Sequence, residues 1–178
     1  MDVNKNCDHA QCTHSTSSVS QTISEMDWER GLWHAAFYGD EERVISLIDK
    51  AKNARDLVNT PDNAGYTPLH YAARKGQVHI CSLLLRYGAV IDTQTKSGHA
   101  TPLHKAAAAG QLESIKFLLK SGAQIDKQDA DGQTIIHKAA ENKHFVVVNY
   151  LTQTYPEIAS VRDFKGRHAT DYMKDQNN

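Results

Sequence analysis

Cysteine is scarce in this chain of 178 residues, limited to Cys7, Cys12 and Cys81. The number is odd, and Cys81 falls in the apolar register of a helical stretch beside Leu83 and Leu84. This excludes a disulfide framework and points to a reducing compartment, cytosol or nucleus. Charge of either sign is equally short of excess, with a formal net charge of −1. No global field exists to gather nucleic acid or anionic lipid. Residues 1–24 hold no apolar run of signal-peptide length, and nowhere do the roughly 18 consecutive apolar residues of a membrane helix occur. Catalytic strings are missing as well: no GxxxxGK[ST], GxGxxG or GxSxG. Asp129, Asp131 and Gly132 imitate the middle of a calcium loop, but that register puts Lys127 and Lys138 where the first and last carboxylates belong,. No cofactor is expected.

What is present is repetition. Gly65–Gly76 (GYTPLHYAARKG) returns as Gly98–Gly110 (GHATPLHKAAAAG) and again as Gly132–Lys143 (GQTIIHKAAENK). His70, His104 and His137 recur at spacings of 34 and 33 residues, the sign of a solenoid built from small supersecondary units,. Thr67, Thr101 and Thr134 stand at helix N-cap positions, and Pro68 and Pro102 follow at the first helical position, where a missing N–H costs nothing. A short alanine-rich helix follows, stopped in two units by Gly76 and Gly110. A second, more apolar helix comes next, over Val78–Tyr87, Leu112–Lys120 and Phe145 to about Thr154, stopped by Gly88 and Gly122 in two units.

Taken in order, residues 1–22 read as a flexible polar tail and 23–178 as one repeat domain. Within the tail, Cys7, His9, Cys12 and His14 form a set of soft ligands whose spacing fits no usual structural zinc pattern. A degenerate first unit follows. Its first helix is expected over Glu25–Tyr38, with Met26, Trp28, Leu32 and Trp33 apolar. Its second runs from Glu41 to about Lys52, with Asp40 as N-cap and Val44, Leu47 and Ile48 on one face. Asn53–Asp56 is a small insertion expected to be a surface loop, and one further residue enters near His99-Ala100. In the fourth unit Ile135 replaces the N1 proline and Asn142-Lys143 the glycine turn. After Tyr155-Pro156, residues 161–166 repeat the finger sequence and His168 opens a partial fifth unit.

The string Gly-x-Thr-Pro-Leu-His-x-Ala-Ala, the Leu-Leu second helix and the Gly-Ala closures at Gly88-Ala89 and Gly122-Ala123 resemble the ankyrin-repeat signature. The resemblance implies an all-α solenoid of about five helix-turn-helix units, degenerate at both ends, with projecting β-turn fingers. It also implies a concave face lined by finger tips and by the outward positions of the first helices. By motif alignment these are His34, Phe37 and Tyr38, then Tyr66, Tyr71, Arg74 and Lys75, then Lys96, His99, Lys105 and Ala108, and lastly Gln133, Lys138, Glu141 and Asn142. Aromatics gather toward the N-terminal half beside a basic stripe, and Tyr and Arg are frequent anchors of protein interfaces.

A histidine copied into every structural unit is not a catalytic base. A hydrogen bond tying the tetrad threonine to the neighbouring finger explains it better. The expectation is therefore a non-enzymatic adaptor, scaffold or inhibitor, monomeric when free, that grips intracellular proteins and binds neither nucleic acid nor membrane. The alternative is a metal- or redox-responsive regulator using the Cys/His tail.

Overall fold

The computed structural model describes residues 31–174. Among them the chain forms α1 (Leu32–Tyr38), α2 (Glu41–Asp49), α3 (Ala54–Asn59), α4 (Pro68–Lys75), α5 (Val78–Arg86), α6 (Pro102–Ala108), α7 (Leu112–Lys120), α8 (Ile135–Glu141), α9 (Phe145–Thr154), α10 (Pro156–Ala159) and α11 (Ala169–Lys174). None exceeds ten residues, too short to persist alone in water, so each must be held by its neighbours. The first helices of successive units pack in chain order, α1 on α4, α4 on α6, α6 on α8 and α8 on α11, while α2, α5 and α7 form a second row behind them. This is the all-α stack of helix pairs expected from the repeats.

The packing follows from side-chain size. Ala35-Ala36, Ala72-Ala73, Ala106-Ala107 and Ala139-Ala140 are fully buried where adjacent first helices meet, because only a methyl fits so close an approach. Leu69, Leu103 and Ile136 fill the space beneath them, with Cys81, Leu84, Ile115, Leu118, Val148 and Leu151 contributed by the second row. The Cys81 thiol is fully enclosed, and burial pushes its pKa up to about 12, so it behaves as a small apolar side chain,.

Asp40 caps α2 as expected, accepting from the Arg43 N–H at 3.0 Å. Three expectations need correction. Gly31 is extended (φ −80°, ψ 167°) and acts as the N-cap of α1, so a helix does not run unbroken from Glu25. The residues before Gly31, including Met26 and Trp28, lie outside the described residues. α2 ends at Asp49 rather than near Lys52. The insertion is no loop: Asn53 Oδ1 accepts from the N–H groups of Arg55 and Asp56, which starts α3.

Candidate interaction face

The face built by the first helices and the fingers is set by one polar device repeated along the stack. At the N-terminus of α4 the Thr67 N–H donates to His70 Nδ1 at 3.0 Å, with Thr67 Oγ1 also 3.0 Å from that nitrogen. Because Nδ1 accepts, the ring proton resides on Nε2, which donates to the Ala100 carbonyl of the next unit at 3.0 Å. His104 does the same between the Thr101 N–H and the Gln133 carbonyl, and His137 between the Thr134 N–H and the Arg167 carbonyl. Each imidazole closes a capping box in place of the usual Glu or Gln and staples its unit to the next,. Burial lowers the pKa of all three, to about 4 for His70, so they are neutral near pH 7. The recurring histidines are structural, as their periodicity implied.

The fingers have their own rule. The first residue of each finger is an acceptor that ties down the loop. Asp62 Oδ1 takes the N–H groups of Ala64 and Tyr66, Asp129 Oδ1 those of Asp131 and Gln133, and Asp163 Oδ1 those of Lys165 and Arg167. The glycine three residues on is required. Gly132 has φ +75°, and a Cβ there would sit 2.5 Å from the Phe164 ring and 2.8 Å from its backbone nitrogen,. Adjacent fingers are joined by single backbone bonds, Lys96 N–H to Ala64 O, Ala130 N–H to Gly98 O and Phe164 N–H to Asp131 O.

The second carboxylate oxygen reaches the residue nine positions later, on the first helix of the same unit. Tyr71 OH donates to Asp62 at 2.6 Å, Lys138 Nζ to Asp129 at 2.8 Å and Tyr172 OH to Asp163 at 2.5 Å. Burial raises the Asp163 pKa, but Tyr172, Arg167 and two backbone N–H groups outweigh it and hold the carboxyl down to about 2. For Asp129 burial is likewise outweighed, chiefly by Lys138, and the pKa falls. The third unit breaks the pattern. Thr95 replaces the aspartate, and its hydroxyl accepts only the Ala100 N–H among the described residues. Lys105 therefore finds no carboxylate in its finger, and its ammonium lies over the Tyr66 ring, 4.8 Å from the centroid.

Apart from Gln133, the residues singled out from sequence fall into four groups. His34, Tyr38, Phe37, Tyr71 and Tyr66 form a continuous ladder of ring contacts at centroid distances of 4.5 to 6.2 Å, with Lys75 Nζ 4.3 Å above Phe37. Tyr38 is 65% exposed. Next to the ladder, Tyr66, Arg74, Lys105, Ala108, Ala109 and Asn142 line a cavity of about 390 Å³. Lys96 and His99 are exposed at the third finger, with Lys96 Nζ on the Asn63 carbonyl and His99 at φ +47°. Lys138 and Glu141 pair with each other at 3.8 Å on the fourth unit, away from that cavity's lining.

Gln133 is a correction. It is buried, its N–H is held by Asp129, its carbonyl accepts from His104, and its amide donates to the Tyr172 hydroxyl. Sequence reasoning missed Ala109 in the cavity floor and the finger aspartates. The recurrence Asp62-x-x-Gly65, Asp129-x-x-Gly132 and Asp163-x-x-Gly166, against Thr95-x-x-Gly98, was the available signal.

A larger cleft of about 520 Å³ opens on the second row, between α5 and α7. Its lining is Ser82, Leu85, Arg86, Ala89, Ile91, Phe117 and Ser121, none of them expected from sequence to line a binding face. Its one charge and ordinary apolar walls give it less chemistry than the smaller cavity. Among the described residues no group of three or more His, Cys, Asp or Glu is placed to hold a metal, and no helix is long and apolar enough to cross a membrane. The set Cys7, His9, Cys12 and His14 lies outside the described residues.

Comparison with known proteins gives the stack its context. A family model described as Ankyrin repeats (3 copies) matches residues 9–95, 32–129 and 88–161. Ankyrin repeat domain-containing protein 39 of Homo sapiens is 49% identical over 86 residues, 47% of this chain and 45% of that protein. Its Bos taurus namesake is 51% identical over 67 residues, 36% of this chain and 34% of that protein. The match thus spans less than half the length of these curated relatives. Alpha-latrotoxin-Lg1a of Latrodectus geometricus is 33% identical over 66 residues, 37% of this chain and only 5% of the toxin.

Proposed function

Because this chain belongs to the ankyrin-repeat family, whose members generally mediate protein–protein interaction, we propose that it is a non-enzymatic binding module serving as an adaptor, scaffold or inhibitor. It grips an intracellular protein in cytosol or nucleus with the face made by its first helices and fingers, and it is monomeric when free. Residues 23–178 act as one binding domain. The observation that carries this reading is the ring ladder from His34 to Tyr66 beside the Arg74–Lys105 cavity. Exposed Tyr38 supplies an apolar, amphipathic surface at that face rather than in the core. Such a face is held rigid by the histidine staples, so docking orders little that was not ordered already. The net charge of −1 supports a protein partner over nucleic acid.

A photoreactive side chain placed at Tyr38 tests this against one placed at Val146, which is exposed on α9. The expected result is a discrete protein crosslinked from position 38, whose capture is lost when Phe37 and Tyr66 are both changed to Ala and kept when Val146→Ala is made. Equal crosslinking from both positions, or capture indifferent to the double change, would overturn the proposal. Salt adds a second readout: binding anchored on Phe37 and Tyr66 weakens modestly with ionic strength, whereas binding through Lys96 and Lys105 alone collapses.

A further inference from the structure

We infer that the cavity between the second and third units is an acidic-peptide site, in which a carboxylate of the bound partner seats between Arg74 and Lys105 against the face of Tyr66. This rests on the interaction-module reading and names what the partner must bring. Three observations converge. Among the described residues neither Arg74 nor Lys105 makes an ion pair, although both line the same cavity of about 390 Å³. The floor is Ala108 and Ala109, short enough to leave room for an entering side chain, and the Asn142 amide stands at the rim. Among the described residues no acidic side chain lines the cavity. Two carboxylates of the flanking elements are otherwise engaged: Asp62 holds the Tyr71 hydroxyl, and Glu141 lies 3.8 Å from Lys138.

The availability of Lys105 is specific to this unit. In the fourth unit the equivalent Lys138 is consumed by Asp129, and in the second and fifth units a tyrosine hydroxyl occupies the finger aspartate. With Thr95 in the third finger, the carboxylate that completes this arrangement is missing from that unit among the described residues and is supplied by the partner. A cationic pair over a tyrosine face, with small residues beneath, favours a flexible acidic side chain. Charge-assisted bonds to its carboxylate give the affinity, and the ring orients the chain.

Amide chemical-shift mapping with an oligoglutamate peptide tests the site, with oligoglutamine as the neutral control and inorganic phosphate as the small-anion control. The expected shifts concentrate at Arg74, Lys105, Ala108, Ala109 and Asn142. Affinity falls roughly tenfold or more in Arg74→Gln and in Lys105→Gln, as for loss of a bond to a charged group. Thr95→Asp is the sharper variant: it supplies Lys105 with its own carboxylate, weakens oligoglutamate binding to the same degree, and leaves the thermal midpoint at or above that of the parent. Wild-type affinity in Lys105→Gln, equal binding of oligoglutamine, shifts that map elsewhere, or phosphate matching the peptide at the same amides would each overturn the inference. Failure here, with crosslinking from position 38 intact, would leave the interaction module standing with a different anchor.

Discussion

Lys105 and Lys138 occupy the same place, four residues beyond the N-cap threonine of α6 and α8, and have different work. Lys138 is half-buried and locked at 2.8 Å to Asp129, which also ties down two backbone N–H groups of its finger. Lys105 faces a finger that begins with Thr95, and its ammonium rests on an aromatic ring of the preceding unit. The threonine–histidine capping boxes and buried alanine pairs around both lysines are equivalent. One finger residue therefore decides whether a lysine is part of the scaffold or part of the surface. A repeat protein can change its binding face in this way without disturbing its stacking.

The largest way to break the contrast is Asp129→Ala. It removes the closer partner of Lys138, leaving Glu141 at 3.8 Å, and strands two finger N–H groups, and should cost about 3–5 kcal/mol in chemical denaturation,. Acid reaches the staples instead. His70, His104 and His137 bind protons more weakly folded than unfolded, so stability is complete above the ordinary pKa of 6.5 and is lost as pH falls below it, in the case of His70 down to about 4. For His70 alone the loss by pH 4 is about 3 kcal/mol. Asp163, whose folded pKa is near 2 against an ordinary 3.8, gives way only below that window. Denaturation midpoints across the pH range should therefore show the histidine loss first. A smaller effect is expected of Gly132→Ala, which forces an L side chain into left-handed backbone beneath Phe164, at about 1–3 kcal/mol,. Thermal unfolding should show that loss, whereas the same change at Gly166, where nothing approaches within 4 Å, should show only the backbone part of it.

The period, the threonine caps, the glycine stops and the apolar second row were legible because each obeys a rule acting within a few residues. The histidine staples were legible for a different reason: a polar residue copied into every unit needs a structural partner in every unit. α3 was missed although Asn53 is a good N-cap, since the extra residues were read against the repeat register and assigned to a loop. The fates of Tyr71, Lys138 and Gln133 were hidden by distance. Tyr71 and Lys138 answer to an aspartate nine residues earlier, and Gln133 is covered by Tyr172 of the next unit. A surface list drawn by alignment gives every unit the same exposed positions. It cannot register that a finger substitution consumes one lysine and releases another.

A pair of double-mutant cycles, each read by chemical denaturation, bears most directly on the central claim. Asp129→Ala with Lys138→Ala should show a coupling energy of about 1 kcal/mol or more, as for residues joined in one buried network. Thr95→Ala with Lys105→Ala should be additive within about 0.5 kcal/mol. Equal coupling in the two cycles would mean that Lys105 is as much a part of the scaffold as Lys138, and would contradict the division between the two lysines.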